Sequence, residues 1–357
     1  MSTQPRRYHR VGYAGTAALG NQTLENLNYS THAIESMRDV IEPLRARMPD
    51  LARVMAAALT VLEAVPKFQL PDGGRLVDEQ SIDRLLQQAR LPYPCVALEY
   101  RAVTDETKLS GVQVTSPKRI ALVWDLRYGL PQAIADLAPH LVTTEPRESL
   151  LVGAFYAAPA PGEAVAAARW AAVPSFAEVA LGQRGSKGVS AGVFRDGLRG
   201  QLPPERTLRN AMTLRANVLF VPRDYAEMAG GVDVANRMIL ADLNDEIWAA
   251  LSFAALTSCA NVEIETEPAP EKLNKKRKAA GKTPFFAVNR LSVGDASYLS
   301  RRAGGRGGDG THASPRTHLR RGHIRMLEGR GIWVNAAVVN AGRDEAAQPR
   351  YLLEKSS

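Results

Sequence analysis

The chain has 357 residues, 45% apolar and 23% charged, with 45 Lys+Arg against 37 Asp+Glu for a formal net charge of +8. That length and balance describe a soluble globular protein of two or three domains with a sizeable core, and exclude a chain disordered throughout. The only two cysteines, Cys95 and Cys259, lie far apart in apolar runs, which excludes a disulfide framework or a CxxC metal pair and leaves two buried thiols in a reducing cytoplasm.

The first helical pattern runs through Ile34, Met37, Val40 and Ile41, with Ser30 or Thr31 as its cap and Pro43 as a break or kink. Pro49-Asp50 opens a second helix that carries Leu51, Val54, Met55, Leu59, Leu62 and Val65 on one face. The Pro71-Asp72-Gly73-Gly74 turn follows, and Asp78 starts a third helix through Ile82, Leu85 and Leu86. Pro94–Tyr100, Arg119–Leu126 and Leu150–Ala157 are apolar on both faces, as in buried strands of a mixed sheet. Residues 169–181, 189–194 and Leu214–Val221 supply further short strands. Asp233 caps the longest helix, expected to run to 258, with Val234, Met238, Ile239, Leu243, Ile247, Trp248, Leu251 and Leu256 at helical spacing.

The charge is not evenly spread. Residues 1–260 hold 27 basic and 27 acidic side chains, whereas residues 272–330 hold 15 basic against 3 acidic. Pro270 sits at the start of a short helix whose C′ residue is Gly281, with Leu273 as its anchor and Lys275, Lys276, Arg277 and Lys278 around it. A helix so charged propagates poorly alone, so docking or an anionic partner must hold it. Phe285–Val293, His318–Leu327 and Gly331–Val338 form an antiparallel sheet, the last two joined as a hairpin at Glu328-Gly329-Arg330-Gly331. Strand alternation sets Arg321, His323 and Arg325 on one face as a cationic stripe about 13 Å long. His318, Arg320 and Gly322 fall on the other face.

Concentrated charge of this kind is the footprint of a polyanion-binding surface, with nucleic acid first. The residues expected to carry it are Lys275, Lys276, Arg277, Lys278, Lys282, Arg316, His318, Arg320, Arg321, His323 and Arg325. Phe285, Phe286, Tyr298 and Trp333 lie near enough in sequence to stack bases, although such aromatics are more commonly core. The same histidines and arginines are the residue types of a metal-independent nuclease, acting at His318 or His323. A third reading puts the function in an interface with a host or phage protein, or in self-assembly, carried by the neutral first 260 residues. His312, His318 and His323 match no zinc signature, and strand parity separates the last two. Gly182–Gly188 lacks the spacing of a phosphate loop. No cofactor or metal is expected. No apolar run approaches the roughly 18 residues of a membrane span, and the basic N-terminus lacks the apolar segment of a secretory signal.

At Leu273-Asn274-Lys275-Lys276-Arg277 with Gly281-Lys282, and at His312–Arg325 followed by Trp333-Val334, the sequence resembles a family of uncharacterised proteins encoded by tailed bacteriophages and prophages. Ala89–Pro94 leading into Leu98-Glu99-Tyr100 has the same look. The resemblance implies a phage or prophage origin and a bacterial host cytoplasm, and transfers no catalytic residue.

The expected fold is α+β: N-terminal helices, a mixed central sheet, a long core helix and a C-terminal basic antiparallel β-hairpin module. Its expected parts are an N-terminal helical region at 1–92, a mixed α/β body at 93–266 and a basic module at 267–357.

Overall fold

The computed structural model describes residues 28–74, 76–77, 88–102, 108–109, 112–113, 118–139, 142, 146–158, 168–181, 216–293, 318–320, 323–327, 329–334 and 337–339. The helix expected from Asp78 through Leu86 and the strand at 189–194 both lie wholly outside these residues. In chain order the elements are α1 (Tyr29–Arg47), α2 (Pro49–Ala64), β1 (Lys67–Gln69), β2 (Cys95–Arg101), β3 (Lys108–Leu109), β4 (Val112–Gln113) and β5 (Lys118–Asp125). There follow α3 (Gln132–Ala135), β6 (Ser149–Ala158), β7 (Arg169–Ala172), β8 (Ala177–Ala180), β9 (Ala216–Val218), α4 (Arg223–Ala229), α5 (Val232–Asp242) and α6 (Asn244–Thr257). The last are β10 (Val262–Glu267), α7 (Glu271–Ala279), β11 (Val288–Val293), β12 (His318–Arg320), β13 (His323–Leu327), β14 (Arg330–Val334) and β15 (Ala337–Val339). The fold is α+β, as the sequence led us to expect.

Two compact units divide the chain. Among the described residues, the larger comprises those of Asn28–Ser258 with Ile264–Arg290, and the smaller takes Cys259–Glu263 and those from Leu291 onward. The main sheet has the order β10-β11-β1-β2-β5-β6-β8-β9, with β7 also paired to β6. β1 runs parallel to β2 and β11, while β2–β5, β5–β6, β6–β7, β6–β8 and β8–β9 are antiparallel. The sheet is mixed, as expected.

Both faces of its centre are covered, which is why the strands read as continuous apolar runs. On one face Cys95, Ala97, Ile120, Leu122, Phe155 and Ala157 join Ile34 and Met37 of α1 and Val54 and Leu62 of α2 in a single core. On the other, α6 packs on β5 and β6, and Phe253 meets Phe68 of β1 edge-on at 4.8 Å. Each such fully buried aromatic or aliphatic side chain stabilises the fold by roughly 1.5–3 kcal/mol.

Distant carboxylates cap the first two helices. Glu99 of β2 accepts from the Tyr29 and Ser30 amides, each at 2.9 Å, and Asp224 of α4 accepts from the Asp50 amide at 2.8 Å. A negative group at a helix N-terminus satisfies orphan amides and opposes the helix dipole. Ser30 contributes by donating its hydroxyl to Glu99, not as a local cap. Pro43 does not end the first helix, which continues to Arg47.

Two expectations need correction, and one strand went unpredicted. The helix expected over 233–258 is two helices, α5 and α6, separated at Leu243. Asp242, Asn244, Asp245 and Glu246 crowd the junction, and Asp and Asn favour helix ends over interiors while acidic side chains suit a first turn. The strand at 288–293 does not join the C-terminal hairpin; it pairs in the main sheet, parallel to β1. β1 itself, three residues long, was too short to register as a periodic run.

Candidate functional site

α7 shows how the basic segment is held. At about 100° per residue, Leu273, Asn274 and Arg277 share one side of the helix, and all three are partly buried. Asn274 imitates a strand partner: its Nδ2 donates to the Phe285 carbonyl at 2.9 Å, and its Oδ1 accepts from the Phe285 amide at 2.7 Å. Arg277 donates from Nε to the Thr283 carbonyl and from a terminal nitrogen to Glu35 of α1, both at 2.7 Å. Its guanidinium also lies 4.3 Å from the centre of the Phe285 ring. Gly281, at φ 69°, is the expected left-handed residue past the helix end.

Docking therefore supplies the support that the charge density demanded. Arg277 is consequently not an open anion ligand: Glu35 compensates it, and the helix depends on it for position. Lys275, Lys276, Lys278 and Lys282 are exposed. The described ion pairs engage Arg277 and leave these four out.

The other half of the expected surface lies in the smaller unit. β13 and β14 form the hairpin, with Ile324 opposite Trp333 and the ladder closing at Leu327 and Arg330. The turn is thus tighter than expected, and Gly329 adopts φ 78° in it. β12 pairs with β15 in the matching register, from His318↔Val339 to Arg320↔Ala337. Asn261 pins this hairpin through two bonds to the Trp333 backbone, at 3.0 and 2.9 Å.

His318, Arg320 and His323 take ladder positions, and Arg325 is exposed. Arg316 and Arg321 lie outside the described residues, so of the expected stripe only His323 and Arg325 are placed. Trp333 and Phe285 are buried and Phe286 is half-buried, so the aromatics are packing elements more than open stacking platforms. Tyr298 lies outside the described residues. Among the described residues no group of three or more His, Cys, Asp or Glu side chains could hold a metal ion. No described helix is long and apolar enough to cross a membrane.

Sequence reasoning missed a polar row on the α6 face of the main sheet, buried at Tyr100 and half-buried at Arg119 and Tyr156. Tyr100, Arg119 and Tyr156 are direct cross-strand neighbours on β2, β5 and β6. Glu246 of α6 accepts from Arg119 at 2.9 Å and from the Tyr100 hydroxyl at 3.1 Å, while its second oxygen and the Arg119 Nε have no partner among the described residues. Burial raises Glu246 above the usual carboxylate range, although Arg119 opposes the shift. Asp242 at the end of α5 is pushed up to about 6, chiefly by burial and further by Glu246, with Arg119 opposing. Burial and the nearby Asp242 carboxyl raise the Tyr156 and Tyr225 hydroxyls to about 12.

A second buried charge, Lys67 of β1, donates to the Leu62 carbonyl at 2.6 Å and to the Val65 carbonyl, at the C-terminal end of α2. Its ammonium lies 3.9 Å from the Phe286 ring centre, and burial lowers it to about 8. The signal available in the sequence was a lone charge inside an apolar run at Glu99, after Val96-Ala97-Leu98; Glu246, which follows Asn244-Asp245, carried no such mark.

Residues 75–328 match the protein family described as AcrVA2-like, the anti-CRISPR type V subtype A2 family. No curated protein matches. Among solved structures, the crystal structure of AcrVA2 aligns over 91% of this chain and 96% of that one at 11% identity. The TM-score of that alignment is 0.27, too low to carry one fold over to the other. The phage resemblance of the sequence agrees with the family match in kind, although the match does not single out the segments that suggested it. Because the match spans well over half of the sequence, from before β2 to past β13, the chain belongs to the AcrVA2-like anti-CRISPR family.

Proposed function

We propose that this protein inhibits a type V CRISPR system of its bacterial host by binding a component of that machinery, in the first instance a protein. The observation that carries this reading is the family match over residues 75–328, which takes in most of the main sheet, α6 and the docked lysine helix. An interaction protein needs a rigid body that presents a surface, and the two-sided burial of the sheet provides one. Such a role places the protein in the host cytoplasm.

The test is phage plating on a host that carries a type V effector and a guide against the phage. Expression of the protein should restore plaques, and the purified effector should co-elute with it after nuclease treatment. Unchanged plating together with no co-elution would remove the proposal.

A second reading, nucleic-acid binding by the basic segment, is favoured by the exposed lysines of α7. Binding to labelled nucleic acid that weakens steeply with salt would support it. The nuclease reading, at His318 or His323, is decided in the same experiment by looking for cleavage products with and without chelator.

A further inference from the structure

We propose that the outer arc of α7, formed by Lys272, Lys275, Lys276 and Lys278 and extended by Lys282, grips the phosphate backbone of nucleic acid without reading its sequence. The inference rests on the nucleic-acid reading above and assigns it to one element and one kind of contact.

Helical geometry sorts the nine residues of α7 into two sides. Taking Lys272 as the origin, Lys276 and Lys275 fall about 40° and 60° to either side of it, and Lys278 lies a further 60° beyond Lys275. All four are exposed, whereas Leu273, Asn274 and Arg277 on the opposite side are partly buried. The outer arc carries one carboxylate, Glu271. Lys272–Lys275 and Lys275–Lys278 are spaced i,i+3 and Lys272–Lys276 i,i+4, so like charges face each other across every turn. The helix dipole favours those near the C-terminus but does not remove their mutual repulsion. A bound polyanion does.

The chemistry of the arc specifies what kind of polyanion. Lysine is a compact, strongly hydrated point charge without the planar, pre-organised fork of arginine, so it meets phosphate oxygens as a charge and fixes no bidentate geometry. The one arginine of the helix is turned inward, held by Glu35 and Thr283. No aromatic residue lies on the arc, which removes base stacking as a source of affinity. What remains is backbone contact, which positions a nucleic acid and carries no sequence information. From Lys272 to Lys278 the helix rises about 9 Å, so the four ammonium groups match roughly three to four phosphates of one strand. Asn274 and Arg277 are positioning residues: they fix the arc to the body, so the lysines act as one surface.

The experiment uses the full chain and fluorescein-labelled 20-nucleotide single strands and 20-base-pair duplexes of two unrelated sequences, followed by anisotropy across a potassium chloride series. The variant combines Lys272→Gln, Lys275→Gln, Lys276→Gln and Lys278→Gln, all on an exposed face, with circular dichroism to confirm its fold. Arg223→Gln, on the exposed side of α4 and outside the basic segment, is the comparison.

We expect the two sequences to bind alike and the fourfold variant to bind at least tenfold more weakly at 0.1 M salt. The slope of log affinity against log salt should flatten by about 3 to 4 for a duplex or about 3 for a single strand. Arg223→Gln should keep most of the affinity. If the folded fourfold variant keeps wild-type affinity and slope, the assignment to α7 is overturned while the nucleic-acid reading stands. If the wild-type chain binds neither probe, both fall. If polyglutamate displaces the probes as effectively as unlabelled nucleic acid at equal charge, the arc is a site for acidic protein and the inference is overturned.

Discussion

Replacing Asp242 by Asn tests whether the polar row on the α6 face is under electrostatic strain. In the folded chain Asp242 sits beside Glu246, with Arg119 as the cation shared between the two carboxylates, and its carboxyl is raised from 3.8 to about 6. A carboxyl raised on folding favours the folded state most below its unfolded value. That contribution is lost as pH climbs through the folded value, because the half-buried carboxyl must then ionise. The interval between 3.8 and about 6 corresponds to roughly 3 kcal/mol once ionisation is complete. Relaxation around the site brings the expected measurable effect to about 1–3 kcal/mol. Asp242→Asn should therefore raise stability at pH 7.5, and the gain should shrink through pH 6 and vanish below about pH 4. Urea unfolding of both proteins at half-unit steps from pH 4 to 8 reads this directly. A difference between the two that stays flat across the series would refute the reasoning, because a purely steric effect of the substitution has no pH dependence.

Three further substitutions examine the scaffold. A Cβ built on Gly153 in β6 would lie 2.7 Å from the Phe176 ring, so Gly153→Ala should lower stability by about 1–3 kcal/mol in urea unfolding, with no pH dependence. Glu99→Ala leaves the Tyr29 and Ser30 amides without their acceptor in a buried site; a loss of about 2–4 kcal/mol in thermal or urea unfolding is expected. Asn274→Ala removes both bonds to the Phe285 backbone and should undock α7 while leaving the main sheet folded. Hydrogen exchange should then speed up at the Phe285 amide and through Glu271–Ala279, while amides of β2 and β5 stay protected.

The existence of the elements was more legible than their partners. Apolar runs at Cys95–Tyr100, Arg119–Leu126 and Leu150–Ala157 announced strands buried on both faces, because a strand with one wet face alternates and these do not. The helix start at Pro49 and the glycine at 281 were readable because caps and left-handed residues are local requirements. The α5–α6 break was marked by Asp242, Asn244 and Asp245, but the apolar spacing on either side continues in phase and masks it. β11 carried the pattern of a strand without any mark of its partner, and pairing with β1 brings together residues more than 200 positions apart. The basic site was legible as a composition, yet the different role of Arg277 was not. Arg277 sits among Lys275, Lys276 and Lys278 in the sequence, and only the position of Glu35 on α1 turns it inward.

By itself the sequence determined where the positive charge is concentrated, which segments bury apolar side chains and how α7 begins and ends, since each follows from local composition and the periods of helix and strand. Tertiary structure alone decided that Glu99 and Asp224 cap helices remote from them in sequence, that Tyr100, Arg119 and Tyr156 line up across three strands under Glu246, and that one of six cations on and beside α7 is compensated. Those outcomes depend on which distant groups folding brings within hydrogen-bonding distance. A buried charge is tolerated only where such a partner arrives, and no local pattern in the chain records that.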